Sequence, residues 1–310
     1  MAFDLYFAGT VGEDCTNLIR KLNCCQLLSQ LNERKSLNKW VQYKREHPEC
    51  TCKLFVDSGA FSAHTLGKEV NVDEYIEYIN SIDDQVTVFA QVDKIPGTFG
   101  REHTYEEVCE GAEKSWENYL YMKDKVKSRD KLLPIFHQGE DFKWLRNMLE
   151  YTHEDGSHIK YIGISSNNAE SIPGKIAWFE KCFKTIKESS NPNVKTHAFG
   201  MTIAKILQQF PFTSADSTGW IMTGANGAVR VRDKIIKISE QSNNRDDHYD
   251  HLPPAVKDEV LKECEKFGIS ITELKTDYAK RQLFNIYSLN EWAQNYKYIG
   301  NNILKGNLFS

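Results

Sequence analysis

No apolar stretch in the 310-residue chain approaches the roughly 18–20 residues that a membrane-crossing helix needs, so no membrane span is expected. The first ten residues, Met1 to Thr10, carry neither a basic leader nor a small-residue cleavage site. They read as a strand, and the expected location is the cytoplasm. Charge of one sign is not in large excess either. The net charge of −4 argues against a histone-like or arm-like binder of nucleic acid, but it allows an enzyme with a local basic patch. Cysteine occurs eight times, yet its spacing does not suit a metal module. Cys50 and Cys52 form an isolated C-x-C pair, with no C-x-x-C after it and no histidine at finger spacing. Reduced thiols, no metal and no zinc subdomain are therefore expected. Internal repeats, low-complexity tracts and Pro/Gly/Ser-rich linkers are missing as well. Nothing divides the chain, and residues 1–310 are expected to form a single domain.

What is present is core-forming material, 40% hydrophobic and 12% aromatic. It is distributed as short apolar runs separated by longer amphipathic stretches. The runs are Phe3–Ala8, Leu54–Val56, Val86–Val92, Leu132–Phe136, Tyr161–Ile164, Thr196–Phe199 and Phe212–Ala215, with Ala228–Val231 as an eighth candidate. Their length suits parallel strands buried on both faces. Between them, Val72–Ile82, Tyr105–Met122, Phe142–Tyr151 and Ile172–Ile186 carry a helical period. Eight alternating strand–helix units predict an α/β fold of the closed (β/α)8 TIM-barrel type. The barrel should occupy about residues 1–250, and a helical C-terminal extension about 253–310 should pack outside it. The competing open, doubly wound sheet would normally begin with a glycine-rich turn, which Ala8-Gly9-Thr10-Val11-Gly12 matches poorly.

In such a barrel the reactive side chains lie where strands end. Leu54-Phe55-Val56 ends in Asp57, Val88-Phe89-Ala90-Gln91-Val92 in Asp93, and Phe212-Thr213-Ser214-Ala215 in Asp216. Leu133-Pro134-Ile135-Phe136 ends in His137-Gln138-Gly139. Three aspartates from three strands are thus expected around one mouth. One carboxylate attacking a sugar carbon while another moves a proton would perform a glycosidic substitution in two steps. Strand-end position alone equally suits helix caps or metal ligation.

The order of these segments resembles the tRNA-guanine transglycosylase superfamily. Phe55-Val56-Asp57-Ser58-Gly59-Ala60-Phe61 looks like its DSGGF motif, and Val92-Asp93 falls at its second aspartate. Ile135-Phe136-His137-Gln138-Gly139 is similar to IVQGG, Tyr161-Ile162-Gly163-Ile164 to IGGL, and Phe199-Gly200-Met201-Thr202 to VGTP. Ser214-Ala215-Asp216 falls where the family has its FDC nucleophile, and Asn226-Gly227 echoes the NG that follows. The matches run from about Leu54 to Val231. They depart from the family at Ala60 and Ile164, where it has glycine, and in the missing zinc ligands and the missing arginines after the nucleophile. With those tRNA-reading parts absent, the chain is most similar to the short phage-encoded members that act on DNA, which would place it in a host cytoplasm.

The resemblance implies a guanine transglycosylase, a pentosyltransferase that exchanges guanine in DNA for a 7-deazaguanine such as 7-cyano-7-deazaguanine (preQ0), without a cofactor. Asp216 would attack C1′ and Asp57 would handle the N9 proton. Asp93, Phe61, Ser58, Gln138 and Gly163 would bind the base. A flipped-out base also needs a phosphate-gripping surface, for which Arg230, Arg232, Lys234 and Lys237 are candidates, with Trp220 as a stacking or wedging group. The expected partners are DNA and the base, and self-association of the chain is left open. The same exchange on tRNA, and a non-catalytic nucleic-acid-binding relative, remain alternatives.

Overall fold

The computed structural model describes residues 3–97, 103–232 and 234–300. The chain opens with β1 (Asp4–Ala8), α1 (Glu13–Lys21), β2 (Cys25–Ser29), α2 (Gln30–Glu46), β3 (Leu54–Asp57), α3 (Ala60–Thr65) and α4 (Val72–Ser81). It continues through β4 (Val88–Ala90), α5 (Tyr105–Lys123), β5 (Leu132–Leu133), β6 (Ile135–His137), α6 (Phe142–Glu150), β7 (Tyr161–Ser165) and α7 (Ile172–Glu188). Next come β8 (Lys195–Phe199), α8 (Ala204–Gln209), β9 (Ser214–Ser217), α9 (Gly219–Ala225), β10 (Ala228–Val231) and β11 (Lys234–Lys237). Three helices follow: α10 (Pro254–Phe267), α11 (Ile271–Thr276) and α12 (Tyr278–Gln294).

Local chemistry sets several of these boundaries. Thr104 and Glu107 form a reciprocal capping box at the start of α5, as Ser270 and Glu273 do for α11. Pro254 opens α10, and Gly268 closes it in the left-handed conformation.

The main sheet is parallel and runs β5-β4-β3-β2-β1-β9-β8-β7-β6. Its two ends, β5 and β6, are consecutive in sequence and separated only by Pro134, so the sheet curls back on itself into a nearly closed barrel. Proline cannot donate to a ladder, and here it marks the change of partner. On one side the Leu133 carbonyl accepts from the Gln91 N–H at 3.0 Å; on the other the Pro134 carbonyl accepts from the Gly163 N–H at 2.7 Å.

Period-two alternation divides the strand residues between two cores. Tyr6, Ala8, Leu27, Phe55, Val88, Ala90, Leu133 and Ile135 fill the interior, together with Tyr161 and Phe199. Their neighbours Leu5, Phe7, Leu28, Leu54, Val56, Phe89, Leu132, Phe136, Ile162 and Ala198 pack outward against the helices. Gly163 belongs to the inner layer. A Cβ there would lie 2.4 Å from the Phe199 ring and 2.7 Å from Leu133 Cδ2, so the glycine is a packing requirement. Gly163→Ala is expected to lower stability by about 1–3 kcal/mol through overpacking, read from the midpoint of urea denaturation. An unchanged midpoint would refute this account of the inner layer.

Two strand assignments differ from expectation. The sheet contains β2, whose sequence Cys25-Gln26-Leu27-Leu28-Ser29 is interrupted by a polar residue. Gln26 is 1% exposed, and its amide donates to the carbonyls of Phe7 and Gly9, so a buried amide replaces an apolar side chain in tying β2 to β1. Ala228–Val231 does not join the barrel. It pairs with β11 as an antiparallel hairpin, with Arg232 in the left-handed region at the turn. Val229, Val231 and Ile236 are buried, while Lys234 and Ile235 are exposed, which is the one-sided pattern of antiparallel rather than parallel strands. The expected C-terminal helices are α10–α12, and residues 301–310 of that segment lie outside the described residues. Helix α12 packs on α9, β10 and α1, and Phe284, Ile286 and Leu289 along it are buried. Among the described residues, no helix is long and apolar enough to cross a membrane.

Candidate active site

Asp57 is the last residue of β3, and its Oδ2 accepts the N–H of Gly59 at 2.9 Å. Gly59 has φ of 84°, and a Cβ there would sit 2.6 Å from Ser29 Oγ and Leu31 Cβ. The tight turn therefore requires glycine at 59 but not at 60, where Ala60 starts α3. Asp57's own burial, then Asp93, raises its pKa to about 7; Asp216 and Glu33 push the same way, against the Gly59 hydrogen bond. Asp93 and Asp216 thus both act on the charge of Asp57, which puts the three aspartates that the sequence singled out in one electrostatic neighbourhood. Glu33 joins them from α2, where its backbone departs from helical geometry while its carboxylate accepts from the Ser29 N–H and the Thr10 hydroxyl.

Asp93 is not alone. Its Oδ2 lies 3.1 Å from His137 Nε2, and Glu140 Oε1 lies 2.9 Å from His137 Nδ1. Both carboxylates are nearly buried, at 9% and 6% side-chain exposure. Burial of the ring works against its charge, but Glu140 and then Asp93 outweigh that, and the His137 pKa rises to about 10. At neutral pH the ring is an imidazolium clamped between two carboxylates.

Asp216 lies in β9 and is 7% exposed. Its Oδ1 accepts from His197 Nε2 at 3.1 Å and from the Gly200 N–H at 3.0 Å. His197, on β8, is fully buried, and its Nδ1 contacts Ser214 Oγ, which in turn contacts the Tyr161 hydroxyl.

The other candidate residues divide. Phe61 is 61% exposed in the first turn of α3, so it is not a core aromatic. Gln138 is half-buried, and its carbonyl oxygen accepts the Asn167 N–H at 3.0 Å, which ties the loop after β6 to the loop after β7. Ser58 is fully buried, and its hydroxyl accepts from the Ala60 N–H, so it serves the turn. Gly163 is likewise corrected to a packing role under Phe199, with its N–H committed to Pro134. Trp220 is 1% exposed, donates to the Ala8 carbonyl at 3.0 Å and meets Phe7 edge-on. It is a core residue and is not available to stack on or wedge into DNA.

The basic residues are spread along the β10–β11 hairpin. Arg230 donates to the carbonyls of Arg232 and Thr202, Lys237 donates to that of Asn226, and Arg232 lies 3.7 Å from Glu259. Lys234 is exposed. Only Arg230 reaches toward the site, through Thr202, two residues from Gly200. Among the described residues, no cluster of three or more His, Cys, Asp or Glu side chains is arranged to hold a metal ion. A cavity of about 320 Å³ opens beside Asp93, lined by Ala60, His64, Val92, Lys94 and Asn118 among others.

His197, Ser214, Tyr161, Glu140 and Glu33 were not singled out as site residues from sequence. One of them left a signal. His197 is a polar residue inside a short buried strand, two positions from Phe199 and therefore on the interior face. Comparison of the sequence with protein-family models and with curated proteins finds no match to either.

The Asp57 environment makes a prediction about pH. Its folded pKa of about 7 lies above the ordinary 3.9, so the folded state binds the extra proton and stability falls as pH rises between those values. Asp57→Asn removes this penalty. The variant's stability relative to the parent should be about 1–2 kcal/mol more favourable at pH 8 than at pH 5, allowing for partial solvent screening. Equal differences at the two pH values, measured by chemical denaturation, would contradict the assignment.

Proposed function

We propose that the chain is a guanine transglycosylase that replaces guanine in DNA with a 7-deazaguanine, using a barrel of eight staves in which β5 and β6 count as one strand broken at Pro134. The observation that carries this reading is the pairing of two unlike carboxylates. Asp216 is held by two N–H donors on one oxygen, and its charge is among those that raise the pKa of Asp57 to about 7. A group with that pKa can give and take a proton at physiological pH.

In the proposed reaction Asp216 attacks C1′, the C1′–N9 bond breaks, and its electron pair leaves with guanine. Protonated Asp57 supplies the proton that neutralises the departing base. Asp57, now a carboxylate, takes the N9 proton of the incoming 7-deazaguanine, whose N9 displaces Asp216 and restores the starting state. Asp93 accepts the N–H edge of the base with the oxygen that His137 leaves open, and the adjacent cavity has room for a fused bicyclic ring. Phe61 and Met222, 61% and 54% exposed in the helices that follow β3 and β9, offer apolar surface to a base drawn out of its stack. DNA is favoured over tRNA because the segment directly after Asp216, Ser217 to Thr223, carries no arginine.

The test is mass spectrometry of nucleosides digested from DNA and tRNA incubated separately with the protein and 7-cyano-7-deazaguanine. A modified deoxynucleoside is expected. A modified ribonucleoside instead would move the polymer to tRNA, and neither product with any 7-deazaguanine tried would reject the reaction.

A further inference from the structure

The interior of the barrel holds a line of polar groups beneath Asp216. Tyr161 on β7, Ser214 on β9 and His197 on β8 all occupy inward positions, and His197 is the register partner of Ser214. Around the imidazole the walls are aromatic: Phe199, Phe55 and Tyr6 have ring centroids 4.5, 4.8 and 5.9 Å from it. The polar contacts of the ring among the described residues are therefore at its two ends, Ser214 Oγ at Nδ1 and Asp216 Oδ1 at Nε2.

A carboxylate only accepts, so Nε2 must be the donor there. With the ring neutral, Nδ1 keeps a lone pair, which takes the Ser214 hydroxyl hydrogen, and Ser214 Oγ then accepts from the Tyr161 hydroxyl. Every hydrogen in the chain points toward Asp216. The Gly200 N–H falls on the same oxygen, and Oδ2 takes no hydrogen bond from the described residues.

We propose that His197 is a positioning residue, backed by Ser214 and Tyr161, that fixes Asp216 through Oδ1 and reserves Oδ2 as the oxygen that attacks C1′. The inference rests on Asp216 being the nucleophile. It adds which oxygen reacts and what aims it. Misplacing a nucleophile by about 1 Å costs roughly 100-fold in rate.

Two measurements test it, and the first does not depend on activity. Nitrogen-15 NMR of the histidine-labelled protein should show His197 with its hydrogen on Nε2 alone, and Ser214→Ala should leave it there while shifting the Nδ1 resonance as that nitrogen loses its hydrogen-bond donor. An Nδ1–H ring in the parent protein overturns the chain even if base exchange is observed. The second is steady-state exchange of guanine in DNA. His197→Ala should lower kcat roughly 100-fold with KM within about twofold, and His197→Gln, which keeps an N–H near the Nε2 position, should recover about tenfold of that loss. Equal losses in the two variants, or losses that follow their melting temperatures, overturn the positioning role. If the parent protein exchanges no base, the proposed function fails while the NMR result still decides the chain.

Discussion

Asp216→Asn is expected to abolish the covalent intermediate and to lower base exchange by roughly 10⁴-fold, the scale on which removal of a covalent nucleophile is felt. The substitution is close to isosteric. The amide oxygen of asparagine can still accept from His197 Nε2 and the Gly200 N–H, the two contacts that hold Oδ1. The fold should therefore persist, with a melting temperature within a few degrees of the parent, and the loss should fall on kcat. Asp57→Asn should behave differently, because it leaves the proposed nucleophile in place and removes the proposed proton carrier. Exchange should slow, and the dependence of its rate on pH near 7 should flatten. An Asp216→Asn variant retaining a tenth or more of the parent rate would contradict the nucleophile assignment.

The second large effect concerns stability. His137→Gln removes the positive member of a nearly buried triad and leaves Asp93 and Glu140 to repel each other. Breaking such an arrangement typically costs about 3–5 kcal/mol, and that loss is expected at pH 7 in chemical denaturation. The sign of the pH dependence follows from the raised pKa. The folded value is about 10 against about 6.5 in the unfolded chain, so the stabilisation from His137 is complete below pH 6.5 and is lost as pH rises through 10. The difference between parent and variant should therefore shrink steadily from pH 7 to pH 10. Adding Glu140→Gln to His137→Gln should recover part of the loss, since one uncompensated charge then disappears. A cost below about 1 kcal/mol at pH 7 would mean that the ring is not the charge holding these carboxylates together.

The parts of the fold legible in the sequence are those where a strand is buried on both faces. β1, β3 and β7 each read as a near-continuous apolar run because both the barrel interior and the helices demand it, and β8 does so apart from Thr196 and His197. β2 was hidden because Gln26, on the side that faces the helices, is accommodated by hydrogen bonds to β1 instead of by hydrophobicity, which no apolar count detects. The β10 run has the length and composition of a barrel strand, and only its alternation, with Arg230 between Val229 and Val231, separates it from one.

The site divides in the same way. Asp57, Asp93 and Asp216 stood out because a carboxylate at the end of an apolar run is costly in a core and cheap at a mouth. Their partners did not, because the pairings His137–Asp93 and His197–Asp216 join different strands, and the register that aligns them is not written in either strand alone. Ser58 and Trp220 show the limit from the other side. Each lies close to a candidate aspartate in sequence, yet the turn at Gly59 engages the Ser58 hydroxyl and the packing of α9 against Phe7 buries Trp220.

The most direct test of the central claim is to incubate the protein with a guanine-containing DNA, quench it in acid, digest it and map the attached mass by peptide sequencing in a mass spectrometer. A deoxyribosyl or oligonucleotide adduct on Asp216, absent from Asp216→Asn and discharged when 7-cyano-7-deazaguanine is added before the quench, is the predicted result. Base exchange by the parent protein with the adduct on another residue, or undiminished exchange by Asp216→Asn, would contradict it.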